Sequence, residues 1–156
     1  GHEPPQTTGV EPMTLRIERT DAPTDEERQA ILAPLRAYNT AKTGGTTPEL
    51  VAWLVRDEHS NEIVGGLYGR VFFRWFYIEL LVVPEQARGQ GTGSALMQQA
   101  EALAREKNCV GIWLDTFDFQ APAFYRKHGF TEIGQIDDYP PGHQHFFFQK
   151  RLTPTD

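Results

Sequence analysis

The chain has 156 residues, 39% of them hydrophobic, and a formal net charge of −6. That length suits one compact domain, and the acidic balance argues against the dense positive face needed to wrap nucleic acid or lie on an anionic membrane. A single cysteine, Cys109, excludes an intramolecular disulfide and a thiolate cluster; with no apolar run of membrane-spanning length, a soluble cytoplasmic protein is expected.

Residues 1–13 begin with the proline-rich, polar GHEPPQTTGVEP and read as a loose tail ahead of a domain over 14–152; Gly1-His2 has the look of a tag remnant, and Met13 is a candidate start. TLRIERT (14–20) alternates apolar and polar residues and predicts a first strand. In TDEERQAILAPLRAYN (24–39), Thr24 and Glu27 stand at capping-box spacing ahead of Ile31, Leu32, Leu35 and Tyr38, which predicts a helix that Pro34 should kink or split. Three strands follow, LVAWLVRD, IVGGLYGRVFF and FYIELLVV, with turns at EHSNE and near Arg74-Trp75; the third stops at Pro84. From Gly91 to Lys107, Leu96, Ala100, Leu103 and Ala104 mark one face of a helix. CVGIWLDT reads as a strand buried on both faces, QAPAFYRKHGF as a short helix closed by Gly129, and TEIGQID and HQHFFFQKRL as strands around the loop DDYPPG. The sum is an α/β domain around one mixed sheet.

The stretch PEQARGQGTGSALM (84–97) sets Gly89, Gly91 and Gly93 at alternate positions where a helix begins. A helix N-terminus aims unpaired amides and a partial positive charge outward, and glycines let a diphosphate approach the main chain, with Arg88 adding charge. No lysine follows the glycines, so the pattern is not a P-loop. The dinucleotide fingerprint G-x-G-x-x-G fails at its last glycine, where Ser94 stands, although Asp115 lies near where a ribose-binding acid belongs. Four predicted strands precede the motif, and too little chain follows it for a doubly wound sheet.

Arg88-Gly89-Gln90-Gly91-Thr92-Gly93 fits the pattern [QR]-x-x-G-x-[GA], and AFYRKHGF downstream fits A..FY.K.GF; with the element order, both resemble the GCN5-related N-acetyltransferases (GNAT) over residues 14–152. The resemblance implies a single-domain fold with a mixed, mostly antiparallel sheet of about seven strands and helices on both faces. It implies acetyl-coenzyme A as donor and a small-molecule primary amine as acceptor, and by family habit it admits a homodimer. Residues Arg88 to Gly93 with Ser94 would hold the cofactor, and main-chain groups of Leu81, Val82 and Val83 would pair with its pantetheine arm. Many members carry Asn seven residues before the tyrosine of the second motif; Asp118 takes that place, leaving it to steady the arm or face the acceptor.

Acetyl transfer needs a neutral amine, so a base must take a proton. Glu79, flanked by apolar residues nine positions before Arg88, is the candidate; period-two alternation puts Tyr77, Glu79 and Leu81 on one face. Tyr125, the tyrosine of the second motif, is the candidate acid for the departing thiolate. Tyr68, Tyr77 and Asp115 are candidates for the acceptor site. His143 and His145 lack a third ligand and read as structural or solvated rather than as a metal site, and Cys109 reads as a buried small hydrophobe. A non-catalytic acyl-coenzyme A sensor is the alternative reading.

Overall fold

The computed structural model describes residues 12–153, which pack as two compact units divided between Gly45 and Thr46. The tail expected over 1–13 therefore lies, apart from Pro12 and Met13, outside the described residues.

The first unit holds one helix, α1 (Asp25–Thr43). Its start is fixed as the sequence predicts: the Glu27 amide donates to Thr24 Oγ1 at 3.1 Å, and the Thr24 amide donates to Glu27 Oε1 at 2.8 Å. Asp25, Glu26 and Glu27 in the first turn and Lys42 in the last complement the helix dipole, and Gly44 ends it in the left-handed conformation, φ 81°. Two expectations are corrected here. Of the kink or split expected at Pro34 the split is absent, and the helix runs through it; on an exposed helix the carbonyl that loses its partner is left to water. Residues 14–20 form no strand. Their alternation supplies only Leu15 and Ile17, 79% and 100% exposed, and an extended segment without a ladder partner does not stand as a strand.

The second unit is a six-stranded sheet in the order β1-β2-β3-β4-β6-β5, with β1 (Glu49–Arg56), β2 (Ile63–Phe72), β3 (Trp75–Val82), β4 (Gly111–Phe117), β5 (Thr131–Asp137) and β6 (Gln144–Arg151). The count is thus six rather than about seven, the difference being 14–20. Only β3 and β4 run parallel, linked by α2 (Thr92–Glu106); every other pairing is antiparallel. Between β2 and β3, Phe73 and Arg74 both take positive φ, 51° and 62°, the backbone of a tight hairpin whose twist matches its strands.

Alternation selects the core. Leu67, Phe76, Ile78, Ile112, Leu114 and Phe148 fill one sheet face, and α2 lays Leu96, Met97, Ala100 and Ala104 on it. Ala100 and Ala104 have no exposed surface, so the helix backbone sits close to the strands. Tyr125 of α3 (Pro122–Lys127) and Phe130 join the same cluster, and Cys109 is buried in it. Each large side chain there contributes roughly 1.5–3 kcal/mol of burial. β4 is not buried on both faces as its apolar run suggests. Trp113, Asp115 and Phe117 are half-buried on the outer face, where Trp113 stacks on Tyr77 with centroids 4.1 Å apart.

Candidate active site

The sheet opens where the parallel pair ends. β3 and β4 are in register from Trp75/Gly111 to Ile78/Leu114 and no further, although both strands continue. The next residue of β3 is Glu79. Across the hairpin Gly69 faces Ile78 and Tyr68 faces Leu80, so Glu79 is the extra residue of a β-bulge. A bulge bends its strand, and here it leaves one edge of Leu80 to Val82 without a β4 partner. It also shifts the alternation: Leu81 now faces Leu67 and packs against the core. The expectation that Tyr77, Glu79 and Leu81 share a face is therefore corrected, because period two does not survive an inserted residue.

The opening is a cleft of about 850 Å³. One end is the cradle the sequence picks out. A short 3-10 turn, Glu85–Ala87, leads through Arg88 to Gly89 and Gly91, both at positive φ (83° and 80°), and Gly91 is the N-cap of α2. A side chain built on Gly89 or Gly91 would meet nothing within 4 Å, so these residues face open space. Gly93 differs, since a Cβ there would sit 3.2 Å from the Phe124 ring; its role is packing against α3. The first turn of α2 has no side-chain cap and no acidic residue, which leaves its amides for an anion. Lys127 also lines the cleft. An uncapped helix start, two cations and open space above the glycines fit a diphosphate.

Ser94 Oγ and His128 Nε2 lie 3.1 Å apart. Burial, followed by the Lys150 and Lys127 ammonium groups, lowers the His128 pKa, so the ring favours its neutral form.

The same cleft is lined by Glu79, Asp115 and Tyr125. Burial first, then the Asp115 charge, pushes the Tyr125 hydroxyl up to about 12, so it keeps its proton at neutral pH. The Tyr77 hydroxyl donates to Asp115 Oδ1 at 2.6 Å, and His145 Nε2 contacts Asp115 Oδ2 at 2.8 Å. Burial and this hydrogen bond raise the Tyr77 pKa further still.

Around one cleft, then, the structure brings together Glu79, Leu81 to Val83, Arg88, Gly89, Thr92 to Ser94 with Gly91, Asp115 and Tyr125. It does not bring Gln90, Tyr68 or Asp118 to it. Gln90 turns its amide back to the Gln86 carbonyl at 3.4 Å, Tyr68 pairs across from Leu80, and Asp118 lies 3.0 Å from His143 Nδ1. Tyr77 reaches the cleft only through Asp115. His143 and His145 each meet an aspartate, Asp118 and Asp115. Sequence reasoning missed Lys127, which stands in the very AFYRKHGF element quoted for its tyrosine, and Phe119 and Gln120, which carry no motif signal. No helix among the described residues is long and apolar enough to cross a membrane.

Comparison with known proteins matches residues 13–130 to the model of the Acetyltransferase (GNAT) family. An acetyltransferase of Agrobacterium fabrum is 36% identical over 133 residues, covering 85% of this chain and 96% of its own. The blasticidin-S acetyltransferase of Streptomyces morookaense is 48% identical over 83 residues, 53% of this chain and 61% of its own. The crystal structure of an acetyltransferase from Bacillus cereus superposes with a TM-score of 0.74 at 38% identity, covering 86% of this chain and 98% of the other.

Proposed function

The chain belongs to the GNAT family and is an acetyltransferase that uses acetyl-coenzyme A, and on that premise we propose that its cleft serves direct acetyl transfer to the primary amine of a small molecule. When bound, the cofactor supplies an acyl group already activated as a thioester. The main-chain amides from Gly89 to Ser94, with Arg88 and Lys127, would hold its diphosphate, and main-chain groups of Leu81 to Val83 would pair with its arm. Glu79 takes the proton from the acceptor ammonium, and Tyr125 gives one to the leaving sulfur. Direct transfer fits because the site offers an acid and a base and no cysteine to carry the acyl group: the described residues hold one cysteine, and Cys109 is buried in the core.

The observation that carries this reading is the convergence of Glu79 and Tyr125 on the cleft that begins at the uncapped start of α2. The likeness to an enzyme named for blasticidin S supports an antibiotic amine as one acceptor class, beside metabolite and polyamine-like amines. An amine panel followed by release of free thiol tests it. At least one amine is turned over, and Glu79→Gln lowers kcat/KM for it by about 10²-fold or more. Full activity of Glu79→Gln on every accepted amine overturns the base assignment, and silence across the panel overturns the transfer itself.

A further inference from the structure

Tyr77, Asp115 and His145 come from neighbouring strands β3, β4 and the start of β6, and they form one hydrogen-bonded chain whose central member, Asp115, lines the cleft. A carboxylate only accepts, so His145 Nε2 carries the hydrogen it shares with Asp115. Both Asp115 oxygens thus receive a donor, and each keeps a further lone pair. This carboxylate is held in one orientation, and among the described residues it has no lysine or arginine partner.

The histidine is an odd choice for packing alone. Its residue is 5% exposed, ringed by Phe117, Tyr139 and Phe147 with centroids 4.4 to 5.0 Å away, and its Nδ1 is buried without a hydrogen-bond partner. An unsatisfied buried polar atom destabilises a fold, and a phenylalanine would fill the aromatic box without it. What the histidine adds is the Nε2 donor to Asp115.

A fixed negative charge stabilises an ammonium and so opposes its deprotonation. Held against the reacting amine, Asp115 would work against Glu79, whose charge acts on the same Tyr77 hydroxyl from two residues along β3. The useful partner for Asp115 is a positive group that stays charged throughout. We propose that Tyr77 and His145 are positioning residues that set Asp115 as the counter-charge for a second cationic group of the acceptor. The substrate class is then a small dication, a diamine or an amine bearing a guanidinium. This inference rests on acetyl transfer to an amine, and it deepens that reading by naming the acceptor.

Calorimetric titration of the protein saturated with coenzyme A separates the two. The probes are α,ω-diamines of propane to hexane length and a guanidinoalkylamine, each against the n-alkylamine of matching length. At least one dication binds about tenfold tighter or more than its monoamine, as a charge-assisted contact allows. Asp115→Asn and His145→Phe remove that preference, while coenzyme A affinity is unchanged in both. His145→Gln, whose amide can donate where Nε2 does, keeps it, an outcome that a purely space-filling histidine does not give. Equal binding of dications and monoamines, or a preference that survives Asp115→Asn, overturns the proposal even if monoamines are acetylated well. A preference that disappears in Asp115→Asn, without thiol release from any amine, upholds the anchor and overturns the transfer.

Discussion

Tyr125 shows how a single environment suits a side chain to the role proposed for it. A phenol has an ordinary pKa of 10.0, and burial with the nearby Asp115 charge raises this one to about 12. The proton is therefore retained across the working range and is available to a leaving sulfur. Tyr125→Phe is expected to lower kcat by about 10²-fold with little change in the KM of acetyl-coenzyme A, the pattern of a lost proton donor rather than a lost contact. The pH–rate profile of the wild type should show no alkaline fall from this group near its ordinary 10.0, because the raised pKa keeps the acid form at higher pH. A fall there that disappears in the phenylalanine variant would contradict the assignment. At this scale much was legible. The cradle glycines and the proposed base and acid stand out as residue types at motif spacing. What stayed hidden was orientation: nothing in the sequence says that Gln90 turns back to Gln86, that Asp118 meets His143, or that His145 supports Asp115 from across the sheet.

The decisive element is β3, and the feature that makes it so is one inserted residue. FYIELLVV reads as one uninterrupted strand, yet the bulge at Glu79 turns Leu81 toward the core and frees the strand edge that borders the cleft. The permission for it sits on the neighbouring strand. A Cβ on Gly69 would lie 2.4 Å from the Tyr77 carbonyl oxygen and 2.9 Å from the Phe76 ring, so only glycine allows the two strands this approach. Gly69→Ala should destabilise the fold by about 1–3 kcal/mol and, at temperatures where the variant is folded, lower kcat/KM by displacing Glu79. Thermal unfolding and steady-state kinetics check the two parts, and an alanine variant with wild-type values for both would show that the bulge does not depend on this contact. Element identities were otherwise well read: the capping box of α1, the α2 stripe and the strand runs all follow from short-range patterns. Residues 14–20 were misread because alternation gives a strand's faces but not its partner.

At the scale of the whole molecule, the cleft gathers both signs of charge, with Arg88, Lys127 and the start of α2 supplying the positive groups and Glu79 and Asp115 the negative ones. This layout suits a polyanionic donor meeting a cationic acceptor, and net charge alone, −6, conceals it. Stability should carry a related signature. His128, lowered by burial and by Lys150 and Lys127, with Glu101 opposing, protonates less readily in the folded than in the unfolded chain. Its contribution is complete above the ordinary 6.5 and is lost as the pH falls from there through the folded-state value, since the unfolded chain takes up the proton first. The melting temperature should therefore decline over that acidic range, and His128→Asn should flatten the slope.

The central claim is that main-chain amides at the start of α2 bind the diphosphate of acetyl-coenzyme A. Titration of the nitrogen-15-labelled protein with coenzyme A, read as backbone amide shifts, tests it most directly. The amides from Gly89 to Ser94 should move furthest and saturate together with those of Leu81 to Val83. Saturable binding that leaves the Gly89 to Ser94 amides in place and shifts another part of the chain would contradict it.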